Sequence, residues 1–314
     1  MFKYIVKRIL IALPVLLGIT MIDYGIMCLA GNPLEMIAGP RVSMEALENK
    51  AILLGLDKPF YIQYLVWLGQ LLQGNLGTSM KSYLEVSDMI GSHIGPTLLL
   101  MGTSLIVGLA IAVPAGIFSA IHQYKKRDYA VVTLSFVGMS IPGFFLALML
   151  IYLFTVRLGW LPSGGMTTLG TDGGFLDVVL HMIMPVTVLA VSIAGSNIRY
   201  VRSAMLEILQ SDYLRTAKAK GIGRRRVIFK HALRNALIPI ITVIGMQIPT
   251  LFGGSIIVEK IFSWPGLGSY LVDAIYLRDV PVIMGIVALI IVIVLLTNLV
   301  LDIIYTWLDP RLRT

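Results

Sequence analysis

Charge is scarce in this chain. Only 13% of its 314 residues are Asp, Glu, Lys or Arg, whereas 57% are hydrophobic. A soluble domain carries about 25% charged residues and about 45–50% apolar ones. The chain therefore lacks the polar surface that a water-facing globule of its size requires, and the bilayer is the natural solvent for the excess. Cysteine is rarer still. Cys28 stands alone, which excludes an intramolecular disulfide and a cysteine-built metal site. In its apolar run it is expected to be a buried, inert thiol. The histidines, His93, His122, His181 and His231, are scattered at the edges of apolar runs and form no H-E-x-x-H or other metal-ligand spacing. No G-x-x-x-x-G-K-[ST] phosphate loop occurs, so no recognisable site for ATP hydrolysis lies on this chain. The G-x-S-x-G elbow of serine hydrolases is also missing. Together these absences point away from an enzyme.

Long hydrophobic runs are what the chain has in abundance. A membrane helix needs about 20 mostly apolar residues to cross about 30 Å of hydrocarbon. Six runs meet that length: 9–29, 97–121, 130–156, 179–198, 236–258 and 282–305. The third carries no charge from Ala130 to Val156, and the last carries only Asp302. The sequence thus predicts an all-α integral membrane protein with six transmembrane helices. The first run follows Lys3, Lys7 and Arg8, as a signal peptide would. Its length exceeds the 7–15 apolar residues of a signal core, so residues 1–29 are read as an uncleaved anchor.

Lys and Arg placement sets the expected orientation. With the N-terminus in the cytoplasm, 18 of the 25 Lys and Arg fall in inner segments and seven in outer ones. The outer segments take 11 of the 17 acids. Both termini are therefore expected inside, with 307–314 as a cytoplasmic tail. On this reading the net charge of +8 is a membrane-topology signal and does not indicate nucleic-acid binding.

The segment 30–95, the longest outer one, reads as two short helices outside the bilayer. Ser43 can cap the first, with Glu45 and Glu48 in its opening turn and Gly55 at its end. Pro59 can open the second, where Phe60, Tyr64, Trp67, Leu68 and Leu71 recur at helical spacing before Gly74. A lid on the membrane domain and a docking surface for an external partner both fit. The glycine-rich stretch after Arg157, up to residue 178, is turn-forming. It follows no strand and contains no Lys or Arg, which argues against a phosphate cradle.

The inner loop 199–235 is rich in signal. Leu206, Leu209, Tyr213 and Ala217 fall on one helical stripe, with Arg215, Lys218 and Lys220 elsewhere, before Gly221 and Gly223. An amphipathic helix between two spans can lie on anionic lipid, serve as a connector, or insert into a groove on a cytoplasmic partner. Periodicity leaves all three open. Nucleic-acid binding is disfavoured, because the segment is tethered at both ends and lacks interleaved aromatics.

Charges within spans are costly and often functional. Only Asp23 sits well inside one. Without several midplane charges or an inverted repeat, an ion-coupled carrier is a poor fit, and the energy source is expected on another chain. Gly108, Ala112 and Gly116 recur every four residues and would admit another helix closely. Pro114, Pro142, Pro185, Pro239 and Pro249 mark possible kinks. Asp23, Ser140, Asn197, Gln247 and Asn298 are candidates to line a translocation path, each with an interhelical hydrogen bond as its alternative role. A stand-alone channel or scaffold is the different-class alternative.

Several motifs in order carry a family resemblance. They are RILIALPVLLGIT at 8–20, GNP at 31–33, LGLDKPFYIQYLVWL at 54–68 and GNLGTS at 74–79. SAMLEIL at 203–209, DYLRTAKAKG at 212–221, HALRNALIP at 231–239, IFSWPGLG at 261–268 and LDPRLR at 308–313 follow. With these the chain resembles the first-type permease subunit of bacterial dipeptide, oligopeptide and nickel ABC importers. The resemblance implies the type I ABC importer permease fold, with the transmembrane domain over 96–306. It also implies location in the bacterial cytoplasmic (inner) membrane. Implied partners are a second homologous permease, two ATPase subunits that bind ATP and Mg, an extracytoplasmic solute-binding protein and the lipid bilayer. No cofactor is implied on this chain. The family's general Glu-Ala-Ala-plus-Gly loop pattern corresponds here to Arg215, Thr216, Ala217 and Gly221, without the Glu. The resemblance implies that Asp212, Tyr213, Arg215, Thr216, Ala217 and Gly221 dock this coupling helix on an ATPase. Peptide cargo is expected, with nickel or a metal–chelator complex as the alternative.

Overall fold

A computed structural model of the chain describes residues 2–29, 58–171 and 173–308. The expected helix at Ser43–Gly55, the GNP motif and the tail from 309 lie outside the described residues. The expected apolar runs all reappear as helix. Helix α1 is Phe2–Leu29 and α2 is Phe60–Leu72. Past α2, Gly74 takes φ +79°, and the amides of Gly74 and Asn75 bond the carbonyls of Leu71 and Gln70 at 2.9 Å. This is the end anticipated at Gly74, satisfying carbonyls the helix leaves orphaned.

Helix α3 is Val86–Ile121 and runs straight through Pro96. It therefore begins well before the expected start at 97, and the helix accommodates Pro96 despite the lost N–H bond and the crowding of its ring against the preceding turn. The third run departs further from expectation. Its residues form α4, Lys126–Ser140, and α5, Gly143–Leu150, which continues as π-helix over Ile151–Arg157. The two halves meet at 92°. Ile141 is extended, with φ −77° and ψ 119°, because the ring of Pro142 disfavours helical backbone in the residue before it. The expected single straight span at 130–156 is thus two helices joined at a sharp bend.

Helix α6, Phe175–Leu209, extends past its expected end at 198 into the expected inner loop. Helix α7 is Asp212–Ala219. A turn at Arg224–Arg226 and a π-helix at Val227–Ala232 lead into α8, Leu233–Ile261. The axis bends by 44° between Arg224–Leu237 and Pro239–Pro249. Helix α9, Leu267–Tyr276, was not anticipated between the last two runs. Helix α10 is Val280–Leu308. By length and composition, four segments can each cross a membrane as one helix: Leu10–Leu29, Val86–Ile121, Phe175–Leu209 and Val280–Ile303. Counting each of the two bent pairs as one span brings the number to six.

The chain divides into two units, Met1–Gly95 with Gly266–Leu299 and Pro96–Pro265 with Val300–Thr314. In the first, α1 packs on α2 through aromatic rings. Tyr24 lies 5.9–6.0 Å from Phe60, Tyr64 and Trp67 between ring centroids. The Tyr64 hydroxyl meets Thr20 Oγ1 at 3.0 Å. Cys28 lies one turn beyond Tyr24, past the described contacts with α2, and is exposed instead of buried as expected. Asp279, just before α10, accepts a bond from Ser79 Oγ and one from the Met80 amide at 3.1 Å. His93 of α3 stacks on Tyr270 of α9 with centroids 4.4 Å apart.

In the second unit, the small residues of α3 do what their spacing suggested. A Cβ on Gly108 would stand 2.7 Å from the Ile193 side chain, and one on Gly116 2.6 Å from Val201. Helix α3 therefore lies directly on α6, where Ala112 packs with Ala194 and Ile198. Two apolar clusters follow. One gathers Leu100, Ala147, Met184, Val188, Phe262 and Trp264. Trp264 is fully buried, and its indole N–H donates to the Pro96 carbonyl at 3.0 Å. The other gathers Ile117, Ala120, Val201, Met205 and Val227 around Leu214 of α7.

Candidate functional site

Helix α7 is short and strongly two-faced. Leu214 is fully buried in the second apolar cluster and anchors the helix. Burying a leucine contributes about 1.5–3 kcal/mol. Asp212, Tyr213, Arg215 and Thr216 lie on the open side. Asp212 sits in the first turn, where the helix dipole favours an acid. Its contact with Arg215 is 3.7 Å between exposed groups, so solvent screens it. The Tyr213 hydroxyl accepts a bond from Asn235 Nδ2 at 2.8 Å, which ties α7 to α8. Ala217 is half-buried. Beyond the helix, Gly221 takes φ +75° and the Ile222 amide reaches the Ala217 carbonyl at 3.3 Å. That six-to-one bond is half of a Schellman closure, the C-terminal geometry anticipated for Gly221.

The stripe read from the sequence does not survive as one surface. Leu206 and Leu209 close α6, the chain turns at Gln210 and Ser211, and Tyr213 and Ala217 belong to a separate helix. The break rotates α7 so that Leu214, absent from the stripe, faces the core and Tyr213 faces out with 44% of its surface exposed.

Among the candidate path residues, Asn197 and Gln247 are brought together. Asn197 Nδ2 donates to Gln247 Oε1 at 2.9 Å and to its own helix at Ile193 O at 2.8 Å. This is the interhelical bond named as the alternative role for both residues. Asn197 is buried and its Oδ1 has no hydrogen-bond partner. Ser140 is exposed, with its hydroxyl bonded back to Phe136 O at 2.8 Å, and takes no part in that pair. In the other unit, Asp23 is half-buried with Oδ2 unpartnered, and Asn298 is exposed.

Beside Asp279, two further buried acids carry no local signal in the sequence. Asp128, 2% exposed, accepts bonds from Arg202 Nε and Nη2, both at 2.8 Å, from the Tyr124 amide at 2.9 Å, and from Ser119 Oγ. The guanidinium fork meets the carboxylate in the strong bidentate geometry. Glu259, fully buried, accepts from Thr97 Oγ1 at 2.9 Å. Each pairing spans a sequence separation that no local pattern encodes. The only available hint was the expense of burying a charge beside an apolar run.

Residues 112–314 match the family model described as binding-protein-dependent transport system inner membrane component, and residues 1–86 match its N-terminal counterpart. The chain is 45% identical to the oligopeptide transport system permease protein AppB of Bacillus subtilis, over the full length of both. It is 40% identical to the di/tripeptide transport system permease protein DppB of Pseudomonas aeruginosa, covering all of this chain and 99% of that one. Among solved structures, the inward-facing methionine ABC transporter MetNI is similar, with a TM-score of 0.58 at 21% identity. That match covers 70% of this chain and 96% of the other. At that identity the likeness shows the fold alone. From its end-to-end relatives and its matched models, the chain is a multi-pass membrane protein that belongs to the family of binding-protein-dependent transport system inner membrane components.

Proposed function

We propose that the chain is a permease subunit of an ABC importer that carries di- and oligopeptides across the cytoplasmic membrane. The observation that carries this reading is the full-length match to permeases named for oligopeptides and di- and tripeptides. The same match disfavours nickel as cargo. ATP and Mg bind on two separate ATPase subunits. A second permease completes the pathway, and an extracytoplasmic binding protein delivers the peptide. Both termini lie in the cytoplasm, in keeping with the Lys and Arg asymmetry.

Helix α7 is the coupling helix in this reading. Its support is a polar outer face of Asp212, Tyr213, Arg215 and Thr216 on a segment held by the buried Leu214. Ala217 and Gly221 shape the helix end that enters the ATPase cleft. ATP moves the bundle only insofar as the ATPase contacts differ between inward-open and outward-open states. The Asn197–Gln247 pair links α6 to α8 within the bundle.

Purification of the tagged chain from its native membrane in mild detergent tests this reading. Recovery of a second permease and ATPases, with uptake of labelled peptides and not of nickel by the reconstituted complex, is the expected result. Recovery of the chain alone, where a control ABC complex stays intact, would overturn it.

A further inference from the structure

We propose that Asp128 and Arg202 form a positioning clamp that makes the ends of α3, α4 and α6 move as one block when α7 is displaced. The proposal rests on the reading of α7 as the ATPase-docking helix.

The Asp128 carboxylate gathers donors from three places: Arg202 on α6, Ser119 on α3 and the Tyr124 amide in the turn between α3 and α4. Asp128 itself belongs to the first turn of α4. An ion pair of this kind, with Asp128 buried and Arg202 still 23% exposed, contributes little net stability compared with apolar residues of the same volume, because the carboxylate must be stripped of water. It does impose one geometry, since every donor must reach the same carboxylate.

The placement of the clamp gives that geometry a use. Arg202 lies between Val201 and Met205 on α6, and Ser119 lies between Ile117 and Ala120 on α3. Those four apolar neighbours line the seat of Leu214. The seat that receives α7 and the clamp that ties in α4 are therefore built from the same turns of the same two helices. A displacement at Leu214 presses on α6 and α3 where Asp128 couples them to α4. Beyond that point α4 leads into the 92° bend at Pro142. Without the clamp, α4 would still be held on α6 by the close approach of Ser135 and Met139 to Gly195 and by Arg199 over the Phe136 ring, but those contacts do not tie in α3. With it, the bent span follows the docking helix.

The test uses the complete complex in proteoliposomes, with a radiolabelled dipeptide presented by the binding protein. Asp128→Asn, Arg202→Lys and the charge-exchanged pair Asp128→Arg with Arg202→Asp are compared with the unaltered chain. Peptide taken up per ATP hydrolysed is measured beside recovery of the ATPase subunits. The Asp128→Asn complex is expected to retain its ATPases and hydrolyse ATP while uptake per ATP falls at least fivefold. Arg202→Lys is expected to fall less, because it keeps a charge but loses the fork. Charge exchange is expected to restore little, because an arginine at 128 cannot accept the Ser119 and Tyr124 bonds, and full recovery would reduce the clamp to a bare ion pair and overturn the multi-donor account. Unchanged uptake per ATP would overturn the clamp, as would a fall of uptake and hydrolysis in equal proportion, the signature of a static brace. If Asp128→Asn does not assemble, Ser119→Ala removes only the α3 link. It must still lower uptake per ATP for the proposal to stand. Absence of the ATPases from the unaltered complex would instead bring down the docking reading beneath it.

Discussion

Gly221 sits at φ +75°, and no atom lies within 4 Å of a Cβ built there. A β-branched side chain would therefore act through backbone strain, about 1–3 kcal/mol, and not through a clash. Gly221→Val is expected to distort the end of α7, lowering uptake per ATP while leaving membrane insertion intact. Normal transport by this variant would refute the docking assignment. Leu214 and Tyr213 are neighbours with opposite burdens. Leu214→Ala empties a fully buried site and should cost about 2–5 kcal/mol. Tyr213→Ala loses one hydrogen bond at an exposed site, about 0.5–1.5 kcal/mol. Thermal unfolding of the purified chain in detergent should fall clearly further for the leucine variant. Equal shifts would show that α7 is not anchored as described.

Among the elements, the α3–α6 contact depends on two side chains that are not there. A Cβ on Gly116 would meet Val201 and, at 2.8 Å, the Ile198 carbonyl, whereas one on Gly102 of the same helix meets nothing within 4 Å. Gly116→Ile is expected to force the helices apart and depress the monodisperse yield, and Gly102→Ile to leave it near the unaltered level. A similar yield for both would sink the close-approach account. This contact was legible, since Gly108, Ala112 and Gly116 announced it at four-residue spacing. The kink at Pro142 was half legible. The proline was read as a possible kink, but its 92° size depends on Ile141 turning extended and on what each half packs against. The stripe through Leu206 and Tyr213 misled because a period persists on paper across a helix break. Helix α9, at ten residues, is about half the length a membrane crossing needs, so run length does not reveal it.

For the whole molecule, orientation is the first property to check. In a Cys28→Ser background no other thiol remains. A cysteine at Thr171 should react with an impermeant maleimide applied to intact cells. One at Ala219, exposed on α7, should react only after permeabilisation. The reverse pattern would overturn the proposed orientation and remove α7 from reach of any ATPase.

The sequence by itself determined the solvent, the apolar runs and the family. Each of these follows from composition, run length or motif order, which are properties of the chain in one dimension. The tertiary structure alone decided which polar groups meet. Asp128 finds Arg202 across 74 positions, Glu259 finds Thr97 across 162, and Asn197 finds Gln247 across 50. In an apolar interior a polar group must find a partner or remain costly, but which partner it finds is set by helix packing. That packing depends on where glycines allow contact and where prolines bend the axis.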